Sequence, residues 1–245
     1  MCSSDLEQAR IVGISGYVVR PPEARRDKPR VSSFTSADTG KILKLEPDLV
    51  LAFSDLQAEI VAELIRHGIP VHAFNQRSVA GILDMVRLLG AMVGVEGRGI
   101  ALADRLDSNV QAARQRGGIQ HRKPRVYFEE WDEPMISGIG WVSELIEAAG
   151  GIDVFADRAQ GRSAKERIVT MDEVRARKPD ILIGSWCGKK FRPEKARARP
   201  GFEHLEMHEI KSVLILQPGR AALTDGLAAL ERIVDRKSTR LNSSH

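Results

Sequence analysis

One phrase occurs twice in this chain and limits the folds open to it. Residues 38–53 read DTGKILKLEPDLVLAF, and residues 170–186 read TMDEVRARKPDILIGSW. In each, a short helical stretch runs into a Pro-Asp pair, and a burst of aliphatic residues follows, closed by an aromatic. The apolar helix position, Ile42 or Val174, lies five residues before its proline, Pro47 or Pro179. Proline stops a helix, and an unbroken apolar run suits a strand buried on both faces. Two copies about 130 residues apart point to two similar α/β lobes in one chain. A two-lobed chain has a natural cleft between its halves, and clefts bind ligands. Helix, Pro-Asp and strand also follow one another in α/β proteins of other kinds, so the phrase alone leaves a single-core reading open.

Composition narrows the partners. With 245 residues, 42% hydrophobic and 29% charged, the chain is globular and large enough for two modest cores. No run of about 18 apolar residues exists, which argues against a membrane span. The formal net charge is +4. Basic residues are scattered among acids apart from short knots, Arg25-Arg26 and the stretch Lys189 to Arg199. Nucleic-acid binding wants a denser stripe with interleaved aromatics, so these read as solvated surface and no nucleic-acid partner is expected. The two cysteines, Cys2 and Cys187, form no CxxC pair and do not settle the compartment. Residues 1–10 carry no apolar core of a signal peptide. Both ends look foreign to the fold. Residues 1–6 (MCSSDL) and 237–245 (KSTRLNSSH) are polar and without period, and they resemble translated sequencing-adapter fragments. On that reading the native chain is cut before about Glu7, any export signal is lost with it, and Cys2 is not a lipoprotein anchor.

Periodicity and breakers order the rest. Ile11–Ser15, Leu49–Phe53 and Pro70–Phe74 read as strands, with a proline-rich loop at Pro21-Pro22. Gln57–His67 is an amphipathic helix closed by Gly68, and Ser78 is an N-cap for a helix carrying Val79, Ile82, Leu83, Val86 and Leu89. From Val95 to Arg116, Ile100, Leu102, Leu106 and Val110 give a sparse apolar stripe on one long, exposed helix. The second half follows the same plan, with strands at Arg125–Glu129, Ile181–Trp186 and Val213–Leu216, and helices at Trp141–Ala149, Met171–Arg177 and Ala221–Val234. The fold class expected is therefore α/β, as two Rossmann-like lobes joined by one long α-helix with a ligand cleft between them. The lobes are residues 7–94 and 118–236, and the backbone helix is 95–117.

Several stretches together resemble the substrate-binding proteins of ABC importers, in the class whose lobes are bridged by a single long helix. They are GISGYVVRPPEA (13–24), LEPDLVLAF (45–53), the helix near 95–116, YFEEWDEPMISGIGWVSELIEAAGG (127–151), KPDILIGSWCGK (178–189) and LQPGRAALTDGL (216–227). Within that class the chain looks like the vitamin B12 (cobalamin)-binding branch, whose relatives handle ferric siderophores and haem. The resemblance implies a periplasmic or membrane-attached extracytoplasmic protein, monomeric, which captures a corrinoid and delivers it to an ABC permease without catalysing a reaction. The corrinoid is cargo, and no resident cofactor is implied. The family opens with a strand and helix absent before IVGIS here, so the first lobe is expected to be truncated at its N-terminus. Arg220 stands where relatives carry a second proline, and Phe202–His208 looks shorter than the family's strand and turn.

A corrinoid is a broad, flat, mostly apolar macrocycle rimmed with amides, and it needs wide aromatic walls with a few polar groups at the rim. In α/β folds such walls come from the carboxyl ends of strands. Phe53, Phe74 and Trp186 lie at or just after such ends. Trp131 and Met135 fall in the loop after Glu129, and Trp141 opens the next helix. Aromatics are only 5% of the chain, yet all three tryptophans fall in these second-half segments. Phe53 and Phe74 suit a cleft or a core equally. Trp131 and Trp186 favour the cleft, while Trp141 favours core or rim. By resemblance, the loop with Tyr17 and Arg20 reaches the ligand and Glu59 docks on permease arginines. A solvated loop arginine and a solvated helix glutamate are the alternatives.

No metal site and no catalytic residue is expected. Of six histidines only His204 and His208 share i,i+4 spacing, and no acid cluster or HExxH accompanies them. The acids Glu129, Glu130, Asp132 and Glu133 could mimic a general acid/base site, as in a cytosolic α/β enzyme, but no nucleophile or base partner is legible. Gly94–Gly99 (GVEGRG) follows a helix rather than a strand, so it is not a phosphate cradle.

Overall fold

The computed structural model describes residues 6–242, with side chains through Arg236. Of the two polar ends, residues 1–5, with Cys2, and 243–245 lie outside those residues. Leu6 is buried, and the last helix continues through 237–242. The chain divides into two compact units. One runs up to Gln76 and includes Met85–Ile100; the other holds Arg77–Asp84 and everything from Ala101 on.

The first unit is built from short elements. Strand β1 (Ile14–Ser15) is followed by α1 (Pro22–Asp27) and β2 (Arg30–Ser32), and β1 pairs with β2 in parallel. Helix α2 (Thr39–Lys44) starts at Asp38, whose carboxylate accepts from the Lys41 backbone N–H at 2.9 Å. It leads to β3 (Val50–Phe53). Helix α3 (Ala58–Arg66) follows and stops at Gly68, whose φ of 76° suits glycine in the left-handed cap. Strand β4 (Val71–Phe74) then pairs with β3, parallel and in register. Among the described residues this unit thus holds two separate two-stranded sheets. Among the described residues, Ile14, Val18 and Ala24 form one small core of this unit and Ile42, Leu64 and Ile69 another.

Two helices are shared between the units along the chain. Helix α4 (Val79–Met92) begins where the Ser78 hydroxyl accepts from the Gly81 N–H at 3.0 Å, and Glu144 accepts from the Val79 N–H at 2.9 Å. The second, α5 (Glu96–Gly118), is the long helix. Its buried stripe is Leu102, Ala103, Leu106, Val110 and Ala113, whereas Ile100 is exposed. The alanines complete a face that the larger side chains mark only sparsely.

The second unit has one five-stranded sheet. Strand β5 (Arg125–Asp132) lies at its centre. It pairs antiparallel with β6 (Met135–Ser137) and parallel with β7 (Ile152–Asp153) and β8 (Ile181–Gly184); β9 (Glu206–Glu209) adds to β8 in parallel. The helices are α6 (Gly140–Ala148), α7 (Ala156–Ala159), α8 (Met171–Ala176), α9 (Pro193–Arg197), α10 (Ser212–Ile215) and α11 (Leu227–Asn242). A capping box between Thr170 and Glu173 starts α8. Asp180 of the second Pro-Asp pair accepts from the Arg125 N–H at 2.7 Å, which fixes the start of β8 against the start of β5. Tyr127, Phe155, Phe191 and Phe202 are buried in one cluster. Gly184 is required there, because a Cβ at that position would lie 2.0 Å from the Phe191 ring.

Two elements differ from the sequence reading. The run Val213–Leu216 is helical, as α10, and β9 takes the sheet position beside β8. A short apolar run fits a buried helix as well as a strand, and periodicity does not separate them. Strand β5 also runs on past Glu129 to Asp132 and turns into β6, with Asp132 opposite Met135. Trp131 and Met135 therefore sit on a hairpin rather than in a loop. The register shifts between Glu129 and Trp131, and such a bulge re-aims a side chain at the end of a strand.

Candidate functional site

The carboxyl ends of the parallel strands are where the sequence places ligand walls, and each unit can be read there by itself. In the first unit Phe53 and Phe74 are register partners at the ends of β3 and β4, so their rings share one edge. Both are half-buried. The Phe53 N–H donates to Gln57 Oε1 at 2.8 Å, and Gln57 Nε2 donates to the Phe34 carbonyl at 2.9 Å, which ties the following turn to this edge. The His72 ring lies 4.4 Å from Phe74, edge-on. Tyr17, 51% exposed, and Arg20, also exposed, belong to the loop after β1, in the other two-stranded sheet of this unit. Glu59 is exposed in the first turn of α3.

In the second unit the hairpin and the end of β8 converge. Glu129 is fully buried. Its Oε1 accepts from the Trp186 indole N–H at 2.9 Å, its Oε2 accepts from the Tyr127 hydroxyl at 3.0 Å, and Arg199 pairs with the same oxygen. Burial, then the Glu129 charge beside it, pushes the Tyr127 hydroxyl well above its usual pKa, so it stays a donor. Glu130 pairs with the buried Arg167 at 2.5 Å, and Arg167 also donates to the Ser137 carbonyl. Asp132 receives both Lys189 and Lys195, the latter at 3.0 Å. Burial would raise its carboxyl, but the two ammonium hydrogen bonds outweigh that and hold it below its ordinary value. Lys195 also reaches Glu133 at 2.8 Å.

Every carboxylate of the 129–133 stretch thus has a basic partner. The acids that could have been read as a general acid/base pair are the structural counterpart of the basic segment around Lys189 to Arg199. That segment, with Arg167, is what sequence reasoning missed. The legible signal was the complementarity of an acidic and a basic run, each of which looks like solvated surface when taken alone.

The three tryptophans separate. Trp131 is half-buried, its indole N–H donates to the Glu133 carbonyl at 2.9 Å, and Lys189 Nζ stands 4.1 Å above its ring. Trp186 is only 2% exposed and packs edge-on against Phe191 with ring centroids 5.0 Å apart. Its ring belongs to the core of this unit, a departure from the expected open wall, because the Glu129 carboxylate draws the indole N–H inward. Met135 lies in the same core cluster. Trp141 is 1% exposed and donates to the Ile215 carbonyl at 2.8 Å, which makes it a packing residue. His204 precedes β9 and His208 lies on it, bonded to Glu206 at 2.9 Å, so their spacing is not that of one helix face. Among the described residues no group of three His, Cys, Asp or Glu side chains could hold a metal ion, and no helix is long and apolar enough to cross a membrane.

Comparison with known proteins places this arrangement. The vitamin B12-binding protein of Vibrio campbellii is 25% identical over 167 residues, 67% of this chain and 59% of that protein. That of Salmonella choleraesuis is 30% identical over 175 residues, 70% of this chain and 64% of that protein. The chain thus spans less than two thirds of the length of these curated relatives. Among solved structures, the periplasmic vitamin B12 binding protein of Vibrio cholerae superposes with a TM-score of 0.71 at 18% identity, covering 96% of this chain and 93% of that one. A periplasmic heme binding protein from Pseudomonas aeruginosa gives 0.78 at 16% identity, covering 95% and 88%. These likenesses establish the α/β fold of two-lobed binding proteins. Residues 6–218 match the periplasmic binding protein family as a whole, and the chain belongs to that family.

Proposed function

We propose that this protein captures a corrinoid outside the cytoplasmic membrane and hands it to an ABC importer. The observation that carries the reading is the match to vitamin B12-binding proteins at 25% and 30% identity. The geometry supports it: each unit by itself offers aromatic surface at the carboxyl ends of its strands, Phe53 with Phe74 in one and Trp131 in the other. Flat apolar ligands are held by such rings, with polar groups fixing the rim. Binding is non-covalent, and the corrinoid is cargo rather than cofactor. Arg20 and Tyr17 are rim contacts in this proposal, Glu59 is a permease contact, and the protein acts as a monomer.

The second reading is haem or a ferric siderophore as cargo. It draws on the structural likeness to a heme binding protein and on the ammonium group of Lys189 beside Trp131, which suits an anionic rim. Titration of the purified protein with cyanocobalamin, hemin and a ferric siderophore, followed by visible absorbance and tryptophan quenching, separates the two. Saturable micromolar uptake of cyanocobalamin alone supports the corrinoid; uptake of hemin or the siderophore instead moves the assignment.

A further inference from the structure

We propose that Lys189 determines which ligands this protein accepts. Its ammonium covers the face of Trp131, and a ligand takes that face while giving Lys189 an anionic oxygen in exchange. The inference rests on the binding function proposed above.

Three observations carry it. Lys189 Nζ stands 4.1 Å from the Trp131 ring centroid and 5.0 Å from that of Trp186, so one cation is shared by two indoles. Cations are drawn to the faces of such rings, and Trp131 is the half-buried indole, the one a ligand can reach. Second, the Lys189 side chain is 39% exposed and sits on a bend just after a turn, so it can leave the ring by rotating its own methylene stem. Third, its departure strands no buried charge. Asp132 is almost fully buried and would be expensive to leave unpaired. Lys195, at 3.0 Å from the other Asp132 oxygen, remains as its partner. Lys195 is further held by Glu133, so it is the fixed cation of the pair and Lys189 the exchangeable one.

A released ammonium beside a stacked macrocycle is left to water unless the ligand supplies an anionic oxygen, which forms the stronger, charge-assisted hydrogen bond. The chemistry that fits is a flat ring system bearing a phosphodiester or carboxylate oxygen at its rim. Lys189 thereby discriminates between ligands of the same ring shape by their charge.

The test compares wild type with Lys189→Ala and Lys189→Arg on three probes. Cyanocobalamin carries a phosphodiester, dicyanocobinamide is a corrin without it, and hemin carries two carboxylates. Loss of a charge-assisted hydrogen bond weakens the anionic probe that the protein uses about tenfold in Lys189→Ala. Dicyanocobinamide binding is unchanged or tighter, and Lys189→Arg restores the wild-type ratio. A loss confined to cyanocobalamin names the phosphodiester as the partner, and a loss confined to hemin names the carboxylates. The empty protein gives an independent readout. Trp141 and Trp186 are buried, so acrylamide quenching reports mainly on Trp131, and it rises in Lys189→Ala. Wild-type binding with the same shift, or none, on all three probes in Lys189→Ala overturns the role of Lys189 alone. Wild type that takes up none of the three probes overturns this role together with the corrinoid and haem readings of the binding function. Unchanged quenching overturns the covering of Trp131.

Discussion

In the first unit a short helix, α2, runs through Glu46-Pro47-Asp48 into β3; in the second, α8 runs through Lys178-Pro179-Asp180 into β8. The local geometry is the same in both. Each helix ends on a right-handed cap, and the residue before each proline takes a left-handed conformation, φ 46° at Glu46 and 45° at Lys178. Ile42 and Val174, at matching positions, are both buried. The surroundings then diverge. Strand β8 is flanked by β5 and β9 and is buried along its whole length, whereas β3, among the described residues, pairs with β4 alone and stays half-open. A repeated phrase therefore sets the turn from helix to strand, while its surroundings set how deeply the strand is buried.

Alanine at matching positions breaks or sharpens that comparison most strongly. Ile183 lies 132 residues after Leu51, as Pro179 lies after Pro47. It is 0% exposed where Leu51 is 38% exposed. We expect Ile183→Ala to cost about 2–5 kcal/mol in denaturant unfolding, and Leu51→Ala less than about 1 kcal/mol. Equal costs would mean that the two strands are equally enclosed.

The second unit also carries a pH signature that its paired acids predict. The Asp132 carboxyl is held below its ordinary value of 3.8, so its pairing stabilises the folded state above that pH and is lost as pH falls through the lower, folded value. Asp132→Asn should flatten the acid limb of the stability curve below about pH 4 and lower stability at neutral pH. The change is on the order of 1 kcal/mol, because both lysine partners are more than a third exposed and water takes their place. An acid limb identical to wild type would show that the pairs contribute nothing.

The smallest effect tests local equivalence directly. Glycine suits a left-handed residue after a helix, so Glu46→Gly and Lys178→Gly should each stabilise by up to about 1 kcal/mol, and by the same amount. Unequal responses in thermal unfolding would show that the phrases differ in more than their neighbours.

Much of this architecture was legible in the residues. The helix–Pro-Asp–strand phrase, the Ser78 cap, Gly68 and the apolar stripe of the long helix all report local preferences, and local preferences are written residue by residue. The site was less legible. Trp131 was found as an aromatic at a strand end, but the lysine above it was not, since Lys189 lies 58 residues away and its run looked like ordinary solvated surface. Trp186 follows the end of β8 and yet turns inward, because a buried glutamate on a neighbouring strand accepts its indole N–H. The apolar run at Val213–Leu216 carried no signal that separates strand from helix, and the choice fell to β9, a polar segment that won the place beside β8.

The sequence by itself determined where helices stop and that two halves repeat one motif, because caps, prolines and periodicity act over a few residues; it did not determine burial, since the matching runs of β3 and β8 differ in it. Tertiary structure alone decided which acid meets which base and which tryptophan is covered. Those contacts join residues far apart in the chain, and their energies depend on burial that no local pattern records.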